Sequence, residues 1–425
     1  MLSTILSAFT VGEIRKKLAF TALILAIYRV GAHIPVPGVD IKAVDSVQEN
    51  FGGGGILNLL NTFSGGGLSR IALFALGIMP YITASIILQL LTVVVPSLEK
   101  LQKEGEVGQA RITQYTRYLT VGLAFAQSIG YVFLFKSFGQ SAGSSAPIIP
   151  KFDTPHVFMI VISLTAGTVL LMWMGELITQ RGIGNGISLM IFASIVARLP
   201  GGLQAWWTNP DQVFKVMLPF IALAVVAAVV FMQEGQRRIP IQYAKRVIGR
   251  RMSGGGQTYL PLRVNMAGVI PVIFAASIMA FPPTVGQLIQ QPWAQDLSNF
   301  FSPSKAPYVF GETIFIILFT YFYTAVTFNP VDQADNLKKY GGFIPGVRPG
   351  RPTAEFLDRI LARLTFPGAL YLAAIAALPT ILINQTSANF FFGGTSLLIV
   401  VGVALDTMKQ LEAQLMMRNY EGFLK

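Results

Sequence analysis

Apolar residues along this chain gather into long unbroken runs rather than into alternating strands. A helix must supply about 20 such residues to cross about 30 Å of hydrocarbon. Ten runs approach that length, near residues 17–35, 70–95, 116–136, 155–177, 183–200, 213–233, 264–286, 309–329, 364–384 and 393–411. They predict an all-α polytopic membrane protein with ten transmembrane helices. The first run follows Arg15, Lys16 and Lys17, as the core of a cleavable signal does. Arg29 interrupts it and nine further runs follow, so it reads as a retained span.

Composition agrees with the pattern. Hydrophobic residues make up 53% of the 425 and charged residues only 12%, against roughly 25% charged in soluble domains. That excludes a water-soluble globular fold and a disordered chain, and the lack of cysteine excludes a disulfide scaffold. Charge then orients the spans. The loops on one side hold Arg15–Lys17, Lys100–Arg117, Arg181, Arg237–Arg263, Lys338–Arg363 and Lys409–Lys425, together 24 of the 32 basic residues. The positive-inside rule makes this side cytoplasmic and places both termini there.

One segment between the first two spans breaks the pattern. Ile56 to Ser64 is apolar at helical spacing through Ile56, Leu57, Leu59, Leu60 and Phe63, yet at about 1.5 Å per residue it reaches less than half the bilayer. Glycines at 52–55 and 65–67 bracket it as flexible joints. Irregular backbone at membrane depth must be buried in protein or line a watery cavity, so a short hinged helix here implies such a cavity. A helix lying on the outer surface remains the alternative.

Signs of chemistry are absent from the rest. Arg29 and Arg70 sit near outer span ends and Glu176 and Asp406 near inner ends, where long side chains reach headgroups or water. His33 and His156 lie at outer boundaries. No phosphate-cradling GxxxxGK[ST] loop and no HExxH pair occurs. The expectation is a non-enzyme with no catalytic residue, no metal and no cofactor, whose energy comes from a partner.

Two cytoplasmic loops, 234–263 and 330–363, far exceed the usual connection of about two to eight residues. The first carries Arg237, Arg238, Lys245, Arg246, Arg250 and Arg251, and its alternation of Ile239, Ile241 and Tyr243 with Arg238, Gln242 and Lys245 suits a hairpin. The second sets Arg348 and Arg351 on a Pro- and Gly-rich turn. Such basic tips suit RNA phosphates, acidic protein patches or anionic membrane lipids; a generic positive-inside loop explains the charge but not the length.

Six stretches in order, ALGIMPYITASIILQLL, RGIGNGISL, QRRIPIQYAKR, PLRVNMAGVIPVIFA, GGFIPGVRPGRPT and GGTSLLIVVGV, make the chain resemble the SecY family, the central channel subunits of the bacterial Sec translocase. The resemblance runs along nearly the whole sequence. It implies two inverted-repeat halves, 1–205 and 206–425, around an hourglass pore. It also implies a multi-pass protein of the bacterial plasma membrane that translocates unfolded polypeptides and releases transmembrane segments into lipid. A secondary transporter for a small solute is the competing reading, and a scaffold or insertase without a spanning aqueous interior is another.

By the resemblance, the pore's waist is an aliphatic ring of Ile78, Ile82, Ile187, Ile191, Ile270, Ile273 and Ile399, which repels water and ions while deforming around a peptide. Each isoleucine alone reads equally as core or lipid-facing. The hinged segment, near 56–69, matches the family's plug. A lateral gate between the second and third and the seventh and eighth spans would carry Gln89, Thr92, Gln127 and Asn265 along its seam. The basic loops match a platform for the translating ribosome, with contact to ribosomal RNA, and for the SecA ATPase; Arg348 is the foremost residue there. SecE and SecG subunits, signal sequences and nascent chains complete the implied partners. Four glycines precede the plug and the tail ends QLMMRNYEGFLK, which limits what the tail contributes to ribosome contact.

Overall fold

A computed structural model describes residues 11–41, 43–44, 61–141, 148–208, 212–243, 246–248, 251–253, 257–288, 291–302, 305–386 and 394–423. All ten apolar runs fall on helices. The first half contains α1 (Gly12–Gly31), α2 (Met79–Val94), α3 (Pro96–Lys103), α4 (Glu106–Ser141), α5 (Thr154–Arg181), α6 (Gly186–Val196) and α7 (Leu199–Thr208). The second contains α8 (Gln212–Glu234), α9 (Ile270–Leu288), α10 (Pro292–Phe300), α11 (Ala306–Thr327), α12 (Pro330–Lys339), α13 (Arg351–Thr386) and α14 (Gly394–Phe423). Among the described residues, six helical stretches are each long and apolar enough to cross a membrane. The pair α2 and α3, bent by 99°, makes a seventh. The bend falls where Pro96 opens α3, because proline has no N–H to continue the helical ladder. The remaining runs lie on α1, interrupted by Arg29, on α9, whose apolar part is Ile270–Met279, and on α14, whose inner half carries Asp406, Lys409 and Glu412.

The second run departs from expectation at its start. Residues 64–78 form turns, and the helix begins only at Met79. Gly77 holds φ +61°, and a Cβ there would stand 3.1 Å from the Ser64 backbone, so the chain doubles back on itself instead of extending a helix. Backbone bonds tie this segment to the end of the first span: Val36 N–H donates to Ile71 O at 3.0 Å and Leu73 N–H to Ile34 O at 2.8 Å.

The two halves meet along two seams. On one, α2 and α4 pack against α9; on the other, α6 packs against α14. Within the first half, Arg117 on α4 clasps Glu176 on α5 through Nε–Oε1 at 2.8 Å and Nη2–Oε2 at 2.7 Å. Glu176 is therefore a packed partner rather than a group reaching out to headgroups.

The two long basic loops build one small sheet. β1 (Gln236–Tyr243) pairs antiparallel with β4 (Gln257–Arg263), from Gln236 opposite Arg263 to Gln242 opposite Gln257. The expected alternation holds, with Ile239 and Ile241 buried and Arg238 and Gln242 exposed. The tip carries a second ladder, β2 (Arg246–Ile248) with β3 (Arg251–Ser253). From the other loop, β5 (Gly342–Phe343) pairs with the free edge of β1 at Gln242 and Tyr243. Ile239, Leu262, Ile344, Leu357 and Leu361 form the cluster that roots this sheet on α13.

The RGIGNGISL stretch shows why its residues are needed. Asn185 caps α6, its Oδ1 accepting from Ile187 N–H at 3.1 Å and Ser188 N–H at 3.3 Å. Gly186 lies so close to α5 that a Cβ would meet the Gly175 carbonyl oxygen at 1.9 Å. We expect Gly186→Ala to force α6 away from α5 and cost about 1–3 kcal/mol, seen as a lower melting temperature of the purified protein in detergent.

Candidate pore, plug and docking sites

The seven isoleucines come from four stretches of chain. Ile78 and Ile82 sit at the start of α2, Ile187 and Ile191 on α6, Ile270 and Ile273 on α9, and Ile399 on α14. In the structure they belong to one contiguous apolar cluster: Ile78, Ile82, Ile191, Ile273 and Ile399 are buried within it, and Ile187 and Ile270 pack against its edge. Both halves contribute, because the cluster lies where α2 and α9 face α6 and α14. An aliphatic cluster shared by helices from both sides of a seam has no polar bond to break when those helices part.

Phe63 of the hinged segment is 3% exposed and belongs to the same cluster. Ile56, Leu57, Leu59 and Leu60 lie outside the described residues. Of the following residues Ser64, Gly65, Gly67 and Leu68 are buried, and Leu68 enters a second cluster with Ile71, Phe135, Met279 and Tyr308. Polar groups here find partners within the segment. Asn61 Oδ1 accepts from Ser69 N–H at 3.1 Å, Ser64 Oγ accepts from Leu68 N–H at 3.0 Å, and Gly66 N–H donates to Asn61 O at 2.9 Å. The segment from Asn61 onward is thus buried in protein, and a position on the outer membrane surface does not describe it.

Of the seam residues, Thr92 donates to Gln89 O at 2.7 Å within α2, and Asn265 Nδ2 donates to Gly268 O at 2.9 Å ahead of α9. These bonds run inside each segment rather than across the seam. Gln89 Oε1 and Asn265 Oδ1 are buried with no hydrogen-bond partner, which leaves acceptor capacity at this depth. Gln127 is half-buried on α4.

On the sheet of the basic loops, Arg237 and Arg238 project exposed from β1. Arg246 and Arg251 fall on the paired tip strands, while Lys245 and Arg250 lie outside the described residues. The GGFIPGVRPGRPT stretch is a rigid turn: Gly341, Gly346 and Gly350 hold φ of 70°, 83° and 103°, and Thr353 Oγ1 donates to Arg348 O at 2.8 Å. Arg348 is exposed at its crest, and Arg351 is exposed beside Glu355, 3.4 Å away one helical turn on.

Three charged groups escaped the sequence reading or behave otherwise than it expected. Glu312, buried at 5% exposure on α11, was not among the charges counted in the spans. Its place as the fourth residue of the 309–329 apolar run was the available signal. Such a carboxylate is what a solute transporter requires. Arg29, expected to reach for headgroups, instead turns inward and donates to Gly65 O at 2.5 Å. Arg198, just beyond α6, donates to Thr62 Oγ1.

Comparison with known proteins places this architecture. The SecY family matches residues 72–408. The protein translocase subunit SecY of Streptomyces galbus is 52% identical over 444 residues, covering all of both chains, and that of Mycobacterium bovis is 49% identical over 441 residues, again covering both in full. Among solved structures, a protein-conducting channel superposes with a TM-score of 0.62 at 19% identity, over 93% of this chain and 91% of the other. Sec61 from a canine ribosome–channel complex of the endoplasmic reticulum gives 0.58 at 18% identity, over 93% and 91%. These likenesses leave no support for the solute transporter, and a full-length identity near one half with two such relatives decides the matter: the chain belongs to the SecY family of multi-pass membrane proteins.

Proposed function

We propose that this chain conducts unfolded polypeptides across a bacterial plasma membrane, with both termini in the cytosol, and releases apolar segments sideways into lipid. One observation carries the reading: isoleucines from α2, α6, α9 and α14, drawn from both halves, meet in a single apolar cluster together with Phe63 of the hinged segment. The halves 1–205 and 206–425 act as the two jaws of the channel. The isoleucines form its constriction, and the segment near 56–69 is its plug.

Work is done by deformation and not by chemistry. An aliphatic constriction is too apolar for hydrated ions to enter, yet it offers a passing peptide no directional bond that would hold it. The seam of α2 and α4 against α9, continued by α11, opens to membrane. Gln89, Thr92, Gln127 and Asn265 line that seam, and acceptors such as Gln89 Oε1 and Asn265 Oδ1 exchange partners with an arriving signal sequence. Polar contacts between membrane helices average about 0.6 kcal/mol, weak enough for such exchange.

Force and direction come from outside. The joint sheet and its loops present Arg237, Arg238, Arg348 and Arg351 to a translating ribosome or to SecA, and Lys245, Arg246, Arg250 and Arg251 of the first loop extend the same basic docking surface by sequence. SecE and SecG complete the membrane assembly. A rigid platform transmits a push better than two independent loops, and β5 pairing with β1 joins the loops in one body.

Three outcomes test this. An arrested nascent chain should crosslink to cysteines placed at Ile78, Ile191 and Ile399 in this otherwise cysteine-free protein; crosslinks confined to lipid-facing controls would remove the pore. Replacing Ile82 and Ile191 together with glycine should raise resting ion conductance severalfold in planar bilayers, and unchanged conductance would count against a constriction at that level. Arg348→Glu should impair SecA-driven or ribosome-coupled export while the protein still inserts and melts normally; full export would take Arg348 out of the docking surface.

A further inference from the structure

The plug base is gripped by groups that its apolar packing does not require. Arg29, in the last turn of α1, donates from Nη1 to Gly65 O at 2.5 Å. Arg198, which follows α6, donates from Nη1 to Thr62 Oγ1. Between these two points the chain is pressed against the wall. Gly65 has φ +65°, and a Cβ on it would stand 2.7 Å from the Tyr28 hydroxyl and 3.4 Å from Ser194 Cα. Tyr28 and Ser194 are themselves joined by a 2.5 Å hydrogen bond between α1 and α6. A glycine in the left-handed region is what permits this approach.

Neither arginine needs to be here. A guanidinium near a span end can reach headgroups or water on its long stem, and turning inward surrenders that hydration. Charge-assisted bonds to a carbonyl or hydroxyl are stronger than neutral ones, and their donors can exchange onto other acceptors. A translocating polypeptide brings many, in its carbonyls and its acidic side chains.

We propose that Arg29 and Arg198 are positioning residues of the channel: a two-point latch that fastens the Asn61–Ser69 segment to α1 and α6, and whose release sets how readily the plug leaves. This rests on the plug reading above. Both points lie on the first half, so the latch resists plug movement even while the two halves part. It opens when the guanidiniums find acceptors elsewhere.

The test uses the whole translocase complex in proteoliposomes and planar bilayers. Ser69, 6% exposed in the latched segment, is changed to cysteine as a reporter for a membrane-impermeant maleimide added from the outer side. Combining Arg29→Met with Arg198→Met should raise both the labelling rate and the resting conductance about tenfold, the shift expected from loss of a hydrogen bond to a charged group. Arg198→Lys, which keeps a cationic donor, should stay near the parent, as a mere packing role for the side chain would not predict. Thr62→Val removes only the acceptor and should give a smaller rise; it decides the question if the double variant does not accumulate. Deletion of residues 56–69 serves as the unplugged reference. Parent-like labelling and conductance in the double variant or, failing its accumulation, in Thr62→Val would overturn the latch while a leaking deletion leaves the plug intact. A deletion that does not leak would instead remove the plug itself.

Discussion

The constraint that governs this molecule is that non-helical backbone at membrane depth must satisfy its own polar groups. Hydrocarbon offers no partner, and each orphaned N–H or C=O there costs several kcal/mol. Residues 64–78 are turns, not helix, and they persist because their bonds close locally. Ala72 N–H reaches Gly67 O at 2.8 Å, Ser69 N–H reaches Asn61 Oδ1 at 3.1 Å, and Ile71 and Leu73 are stitched to Val36 and Ile34 at the end of the first span. Asn61, Ser64 and Ser69 in an otherwise apolar stretch are therefore internal scaffolding. They let non-helical backbone persist where apolar surroundings offer no other partner.

The same reasoning explains the division of labour between the clusters. Bonds that hold each half together are directional, such as the Arg117–Glu176 clasp between α4 and α5 and the bond from Gly186 N–H to Thr179 Oγ1 that ties the start of α6 to α5. The cluster shared by the halves is aliphatic at Ile78, Ile82, Ile191, Ile273 and Ile399. A bidentate ion pair is specific and stiff when partly buried, whereas apolar surfaces slide or part without leaving an unmet donor. Placing arginine and glutamate within a half and isoleucine between halves is what the jaws proposed above would require.

Much of this was legible in the sequence. Run length located the apolar helices, and the alternation of Ile239 and Ile241 with arginine gave the hairpin; the asymmetry of lysine and arginine supplies the sidedness that the proposed function uses. What stayed hidden involves distant partners. Nothing in Gly342–Phe343 announces that it will add to the edge of β1, since a two-residue strand has no periodicity. The late start of α2 was masked because residues 70–78 are as apolar as a helix; burial in a turn and burial in a span make the same demand on hydropathy. Arg29 read as an interfacial cation because sequence shows its distance from the span end but not the Gly65 carbonyl beside it. That the seven isoleucines meet in one cluster was signalled only by family resemblance, since isoleucine suits lipid, core and pore alike.

On the plug and latch proposed above, the attachments of residues 61–69 bear on how opening proceeds. Phe63 belongs to an apolar cluster that also draws on α9 and α14, in the second half, whereas Arg29, Arg198, Tyr28 and Ser194 all belong to the first. Movement of one half against the other would then alter that cluster and leave the polar attachments untouched. In that reading parting of the seam and departure of the plug are distinct steps, the first driven by an apolar segment inserting between α2 and α9, the second by acceptors on the chain that follows. A signal sequence too weakly polar to compete for the guanidiniums would widen the seam while the outer funnel stays shut, which keeps ions out at the moment when the constriction is least well packed.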